Sequence, residues 1–490
     1  MKKTKAKATK QVTEKYEEVG FIDFAISNYK DYMMAVVEDR AIPDFRDGMI
    51  PVARRVLWSM FDLNIRSNSK PVKAARVVGE VMGKYHPHGD SSTYGAMVNM
   101  TNRNSPFPLI KGEGNWGSMT EPGYAAMRYT ESRLDKRGDV VMFDKFYTPA
   151  IQYVPNYDGA FEEPLILPAI LPTVLLTGKS GVAPGASTYI PAVTPRSLVK
   201  TLIDALENKA VVECKAAYKT IRFTSTSGGV EQMPTDDEAK KARMAIFKTI
   251  KGKAVLESSY SVDEAKMKIT VTAFADHWGM HQLIEKLLAH SAVKSAVDDT
   301  SKADKYATLV ITLKPAVRKE FKKTVQQIVQ KFLTVRENYV LNFTERFIDE
   351  TGQAKARMRP MSLTQTLQEW ILYRIDLERR ACTHWINEAS KAIRKLQLLV
   401  MACDNLDFLF KLLKDKLDRP AMDKAIAKKF KITEDEAHVI TEMKYYQLSR
   451  LEKQNILNQI KETEKQRKGL ESRKAKPIPH IIEQLKGIGK

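Results

Sequence analysis

Tyr129 follows Arg128 in the segment Ala125-Ala-Met-Arg128-Tyr129-Thr-Glu-Ser-Arg133-Leu134. A phenol that attacks a phosphodiester forms a phosphotyrosyl ester and stores the bond energy for resealing. The phenol's ordinary pKa of about 10 means that it needs cations nearby to favour the phenolate. Arg128 is of the type that stabilises charge building on phosphoryl oxygens in a transition state. A tyrosine beside an arginine is usually surface or core detail. Here the density of phosphate-binding chemistry upstream gives it a sharper meaning.

That chemistry begins at Arg40-Ala-Ile-Pro-Asp-Phe-Arg46-Asp-Gly48, followed by Pro51-Val-Ala-Arg54-Arg55. Four arginines stand among turn formers, with Pro51 opening a helix expected to run through Met60. Guanidinium groups match phosphate in a bidentate way, so Arg40, Arg46, Arg54 and Arg55 are candidate DNA contacts; a solvated basic face is the plain alternative. A second amphipathic helix, 73–82, starts with Lys73 and Arg76, which join the DNA-contact candidates. The tight turn Gly83-Lys-Tyr-His86-Pro-His88-Gly-Asp90 comes next, and Asp90 is expected to cap a helix over 91–100. Helix, turn and helix with exposed cations resembles a winged-helix DNA reader. His86 and His88 carry metal-ligand spacing, yet no nearby cysteine or carboxylate pair completes a set, so no metal site is expected in this chain. Hydrogen bonds to a scissile phosphate or its neighbours suit the two imidazoles better.

Two nucleotide-binding signatures are imitations. Gly112-Glu-Gly114-Asn-Trp-Gly117 fits GxGxxG, but Pro122 and Gly123 follow where a helix would have to open. Gly178-Lys179-Ser180 ends like a P-loop, yet the position five before Gly178 is Thr173 inside an apolar run. No ATP site is expected here.

The elements that must position these residues occupy a chain of 490 residues with 79 Lys plus Arg against 59 Asp plus Glu, a formal charge of +20. Such a surplus attracts polyanions. At 43% hydrophobic and 28% charged the chain is neither disordered nor fibrous. The longest apolar stretch, 165–176, is broken by Pro168 and Pro172, so no membrane span is expected. Three cysteines and a lysine-rich start without an apolar signal core suggest a reducing cytoplasm. The fold class expected is mixed α+β and helix-rich. Residues 1–38 read as a basic tail (1–11) and a helical arm (12–37), and 39–160 as the winged-helix segment. Residues 161–360 alternate, with strands near 253–257, 268–274 and 308–313 and helices near 197–207, 281–290 and 317–333. Residues 361–490 are almost all helix. Capping boxes at Ser362/Gln365 and Thr433/Glu436, a run of some forty residues without Gly or Pro, and a polar helix over 448–468 suggest a long antiparallel coiled coil around a helical tip (404–446).

Taken in order, RAIPDFRDG, PVARR, ARVVGEVMGKYHPHGDSSTY, GEGNWGS and AAMRYTESRL resemble the A-type cleavage subunit of type IIA DNA topoisomerases, the family of the gyrase and topoisomerase IV A subunits and of the medium subunit of tailed-phage topoisomerases. The resemblance spans roughly residues 20–475. It implies a winged-helix cleavage domain, an α+β tower and a coiled coil ending in an exit gate. It implies that Tyr129 is the nucleophile and Arg128 its transition-state partner. His86 and His88 would contact DNA, Arg40 would approach the cleaved phosphate, and Val182, in a glycine-bearing loop, would wedge between base pairs. It further implies a homodimer acting on double-stranded DNA and an A2B2 assembly with a separate B-type protein that holds Mg2+ and binds ATP. There are departures. Ile50 stands where the family has a lysine, and Gly95 stands where it has the quinolone-bridging acid, although Ser91 is retained beside it. Nothing resembling the gyrase DNA-wrapping domain follows the coiled coil, so relaxation or decatenation is expected. An architectural winged-helix protein would not need Tyr129 beside an arginine, and a tyrosine recombinase would carry its tyrosine near the C-terminus.

Overall fold

The computed structural model describes residues 20–488 except 102–104, 119, 121–122, 276–278, 302–305, 416 and 445–449. The basic tail, the first part of the expected arm, the end of the helical tip and the first residues expected in the returning helix lie outside the described residues.

The arm is a helix, α1 (Phe21–Val36), running into one wide π-type turn, Val37–Ala41, that carries Arg40. Phe21, Phe24, Ile26, Tyr29 and Tyr32 are all exposed along it. Its anchorage is at the far end, where Val36, Val37 and Ile42 bury against Ala183.

The chemistry-bearing segment folds as three helices on a small sheet. Helix α2 (Pro51–Asp62) opens on Pro51, whose missing N–H costs nothing there, and buries Ala53, Val56, Leu57 and Met60. Helices α3 (Ala74–Lys84) and α4 (Asp90–Val98) pack against it through Val77, Val78, Val81 and Met97. Asp90 is the first residue of α4 and not its cap, because Gly89 takes the extended cap position. Strands β1 (Val72–Lys73), β2 (Ile110–Glu113) and β3 (Glu131–Leu134) form an antiparallel sheet in the order β1-β3-β2. Gly112, the first glycine of the dinucleotide imitation, sits in β2 because a Cβ there would lie 2.6 Å from the Trp116 ring. It is a packing glycine.

Downstream, a seven-stranded sheet takes strands from 179–193, 223–231, 251–257 and 334–340. A four-stranded sheet has its own core of Ile269, Val271, Leu283, Leu309 and Ile311. The expected strands appear as Lys251–Glu257, Lys268–Ala273 and Leu309–Leu313. The helix expected over 317–333 is instead a 3-10 stretch (Pro315–Glu320), an α-helix (Phe321–Ile328) and a π-type turn (Val329–Leu333). No side chain of the first piece is buried, so packing supports an α-helix only from Phe321 onward. Gly178-Lys179-Ser180 leads into an edge strand and opens no helix, so its amides cannot wrap a phosphate.

The long helix Leu363–Asp404 starts on the expected capping box: Ser362 Oγ accepts from the Gln365 amide and Gln365 Oε1 accepts from the Ser362 amide. The returning helix, Arg450–Ala475, lies antiparallel to it, since Lys453 pairs with Asp404 at one end and Arg473 with Glu378 at the other. Helices Leu406–Lys414, Arg419–Phe430 and Glu434–Thr441 form the tip around Leu412, Ile426 and Ile440. A last helix, Ile478–Ile488, was not expected; it folds back to bury Ile481 and Leu485 in the main core. That core is continuous from Phe45 through Leu175, Leu256 and Trp370 to Leu485.

Candidate nucleic-acid interface

Tyr129 sits on a tight turn closed by its own amide, which donates to Ala126 O at 2.9 Å. The turn is docked on the first residues of α3, whose Ala74 and Ala75 amides donate to Thr130 O (3.0 Å) and Met127 O (3.2 Å). From α4, the Tyr94 hydroxyl donates to Ala125 O at 2.8 Å and lies 2.7 Å from Thr130 Oγ1. Rigid elements therefore carry both flanks of the turn, while Tyr129 itself stays 65% exposed. Its phenol oxygen has no hydrogen-bond partner among the described residues. The Arg128 guanidinium lies 4.7 Å from its ring centroid, within cation–π range. Tyr94 escaped notice in the sequence because its partners are 31 and 36 residues away.

A second cluster forms where α2 meets the turn after α3. His86 is only 7% exposed, and its Nδ1 lies 3.0 Å from Arg55 Nη1. The exposed His88 ring packs edge-on against it at 4.5 Å between centroids. Burial, with Arg55, His88 and Arg40 adding repulsion, pushes the His86 imidazole down to about 4, so it is neutral at physiological pH. Arg55 is not free for phosphate: its other edge makes a bidentate pair with Glu163 at 2.6 and 2.7 Å.

Two more of the candidate arginines have structural work. Arg54 is 3% exposed and donates to both oxygens of Asp47 (2.6 and 3.1 Å) and to Met49 O. Asp47 in turn accepts from the Leu167 amide across 120 residues. Arg46 chelates Asp44 at 2.9 and 2.7 Å; burial opposes ionisation of Asp44, yet Arg46 holds its carboxyl below the ordinary range. Neither guanidinium faces solvent freely, because desolvated cations need their carboxylates. These two expectations are corrected.

The remaining candidates are accessible. Arg40 is exposed without an ion pair among the described residues, and so is Arg76 on α3. Lys73 is exposed but paired with Glu131 at 2.8 Å across β1 and β3. Ser91 is exposed on α4, its amide and hydroxyl turned to Asp90. One turn on, a Cβ at Gly95 would meet nothing within 4 Å. Val182 lies on a strand, Lys179–Ala183, and not in a loop; paired with Ser187 in a hairpin, it is 83% exposed. Its neighbour Gly181 lets the hairpin press on the Arg40 turn, since a Cβ there would lie 2.2 Å from Ala41 O. Arg55, His86, His88 and Glu163 are thus brought together, with Arg40 close enough to act on His86. No contact among the described residues joins Tyr129 to that cluster.

Among the described residues, no three His, Cys, Asp or Glu side chains converge to hold a metal ion, and no helix is long and apolar enough to cross a membrane. The site thus combines an outward tyrosine with an arginine on its ring, a buried neutral histidine beside an exposed one, and a hairpin presenting a bare valine. The chain belongs to the family of DNA gyrase and topoisomerase IV A subunits, whose model matches residues 40–486. It is 32% identical over 467 residues to the DNA topoisomerase 4 A subunit of Neisseria gonorrhoeae (90% of this chain, 59% of the relative). It is 30% identical over 460 residues to that of Escherichia coli K12 (93% and 59%). To the DNA gyrase A subunit of Kosmotoga olearia it is 30% identical over 450 residues (90% and 53%). The chain therefore spans a little over half the length of these curated relatives.

Proposed function

We propose that this chain is the DNA breakage-and-rejoining subunit of an ATP-dependent type II topoisomerase. The observation that carries the reading is Tyr129: exposed, unbonded at its oxygen among the described residues, overlaid by Arg128 and mounted on two helices. Its phenolic oxygen attacks a backbone phosphorus, forming a 5'-phosphotyrosyl ester. The bond to the 3' oxygen breaks, the phenol loses its proton, and the leaving 3' oxygen gains one. Resealing is the reverse. Arg128 stabilises the charge that develops on the phosphoryl oxygens. His86, His88 and Arg40 bind phosphates about the scissile one, with Arg76, Lys73 and Ser91 along the flanking backbone.

In this reading 39–160 is the winged-helix cleavage domain, 161–360 the tower and 361–490 the coiled coil and exit gate. Two copies form the homodimer, and a separate B-type subunit completes A2B2. Mg2+ and ATP are assigned to that B-type partner. Relaxation or decatenation by double-strand passage is the expected outcome. The test is to combine the chain with a B-type subunit, plasmid, Mg2+ and ATP, and to trap cleavage with detergent. Plasmid covalently linked to this chain supports the reading, and a complex that relaxes DNA without such a link overturns it.

Two further outcomes are expected. With Arg46, Arg54 and Arg55 withdrawn from the contact set, the dimer still presents Arg40, Lys73, Arg76 and Arg128 twice over. If about six phosphates are neutralised, affinity should fall roughly 10³-fold between about 50 and 200 mM salt. A flat response in a fluorescence-anisotropy titration contradicts the phosphate contacts. Val182→Ala should reduce DNA bending and cleavage together while affinity changes much less, because wedge insertion aligns the scissile phosphates. Bend angle by energy transfer on a short duplex checks it: an unchanged bend with normal cleavage removes the wedge.

A further inference from the structure

Arg55 can only donate hydrogen bonds, since a guanidinium has five N–H groups and no acceptor. Its Nη1 lies 3.0 Å from His86 Nδ1, so that nitrogen must present its lone pair. The ring proton of neutral His86 is then on Nε2, which makes Nε2–H a hydrogen-bond donor. This tautomer survives only while Arg55 keeps its orientation, and Glu163 fixes that orientation with two parallel hydrogen bonds, Oε2 to Nε at 2.6 Å and Oε1 to Nη2 at 2.7 Å.

The mounting of Glu163 is itself rigid. It lies on the strand Glu162–Pro164, opposite Val154 of Tyr153–Pro155, and is largely buried. In the loop that joins those two strands, Asn156 donates through Nδ2 to Lys84 O, two residues before His86, and accepts from the Phe161 amide. One small hairpin thus grips both the arginine and the turn that carries the histidine. The charged groups that face His86 are Arg55 from α2, His88 from its own turn and Arg40 from the π-type turn, with Glu163 one residue behind Arg55.

We infer that Glu163 is a positioning residue for DNA cleavage: through Arg55 it locks His86 neutral with its proton on Nε2, ready to donate to a phosphate oxygen. The inference rests on the proposed cleavage function, in which His86 meets DNA. A protonated imidazole would have to give up the Arg55 contact, since neither partner could then accept. The lock therefore keeps His86 a single-proton donor as pH falls below the ordinary imidazole range.

The experiment compares the full chain with Glu163→Gln, which keeps the shape, and Glu163→Ala. Diethyl pyrocarbonate acylates only an available imidazole lone pair, and peptide mass spectrometry reads His86 and His88 separately. In the wild type His86 should react slowly, with little pH dependence between about 5.5 and 8. In both variants His86 should react faster, and its reactivity should become pH-dependent across that range. Cleavage with the B-type subunit should fall roughly 10- to 100-fold, with DNA affinity changed less than about twofold. An unchanged His86 profile in both variants overturns the inference. So does a shifted profile with wild-type cleavage. Tyr129→Phe, run in the same assay, tells the two failures apart: if it abolishes adducts, the cleavage reading stands whatever Glu163 does.

Discussion

Tyr129→Phe should abolish covalent adducts between the chain and DNA, by at least roughly 10⁴-fold, while leaving fold and DNA affinity intact. The size follows from the chemistry, because no neighbouring group can replace the oxygen that forms the ester. The selectivity follows from the geometry. The phenol is exposed and its oxygen bonds nothing among the described residues, so its removal leaves no unsatisfied partner. The turn is held through main-chain groups and through Tyr94, all of which the variant keeps. The measurement is detergent-trapped adduct on end-labelled plasmid, beside anisotropy on a short duplex. Adducts retained at even a hundredth of the wild-type level would move the nucleophile to another residue.

Arg54→Ala should destabilise the fold by about 3–5 kcal/mol, an effect on the folded core and not on DNA contact. Removing the guanidinium strands Asp47, fully buried, with its charge uncompensated. Asp47 also organises the Met49 and Leu167 amides, so the loss reaches both the turn before α2 and the chain 120 residues on. Arg54→Lys should recover only part of the loss, because an ammonium cannot reproduce the two-point grip. A urea midpoint close to wild type, together with a shallower salt dependence of DNA binding, would reverse the assignment and return Arg54 to the phosphate contacts.

The two arginine-rich motifs show how far local reading reaches. Arg40 and Arg46 stand in the same nine residues among the same turn formers, and Arg54 and Arg55 are adjacent. Type and spacing treat each pair alike. Yet Arg40 is exposed, Arg46 chelates Asp44, Arg54 is sealed against Asp47 and Arg55 bridges Glu163 to His86. Asp44 and Asp47 were in view all along, within seven residues of their partners; burial is what turned them into obligatory counterions. Glu163, 108 residues from Arg55, gave no local signal at all. Val182 is an exposed apolar residue, but the strand that carries it needs Ser187 opposite to form.

What the sequence by itself determined is whatever depends on residue type and near-neighbour periodicity. The capping boxes at Ser362 and Thr433, the 42-residue helix between turn formers, Pro51 at a helix start and the Arg128–Tyr129 pair all form through contacts a few residues apart, and short-range signals of that kind survive in one dimension. Only the tertiary structure decided which cations are free and which are spent, how the last helix returns to the core, and why His86 is neutral with a defined proton. Each of those outcomes is set by desolvation and by partners brought from tens to hundreds of residues away. The free energy of a charge depends on the medium and counterion the fold gives it, and a sequence lists charges without either.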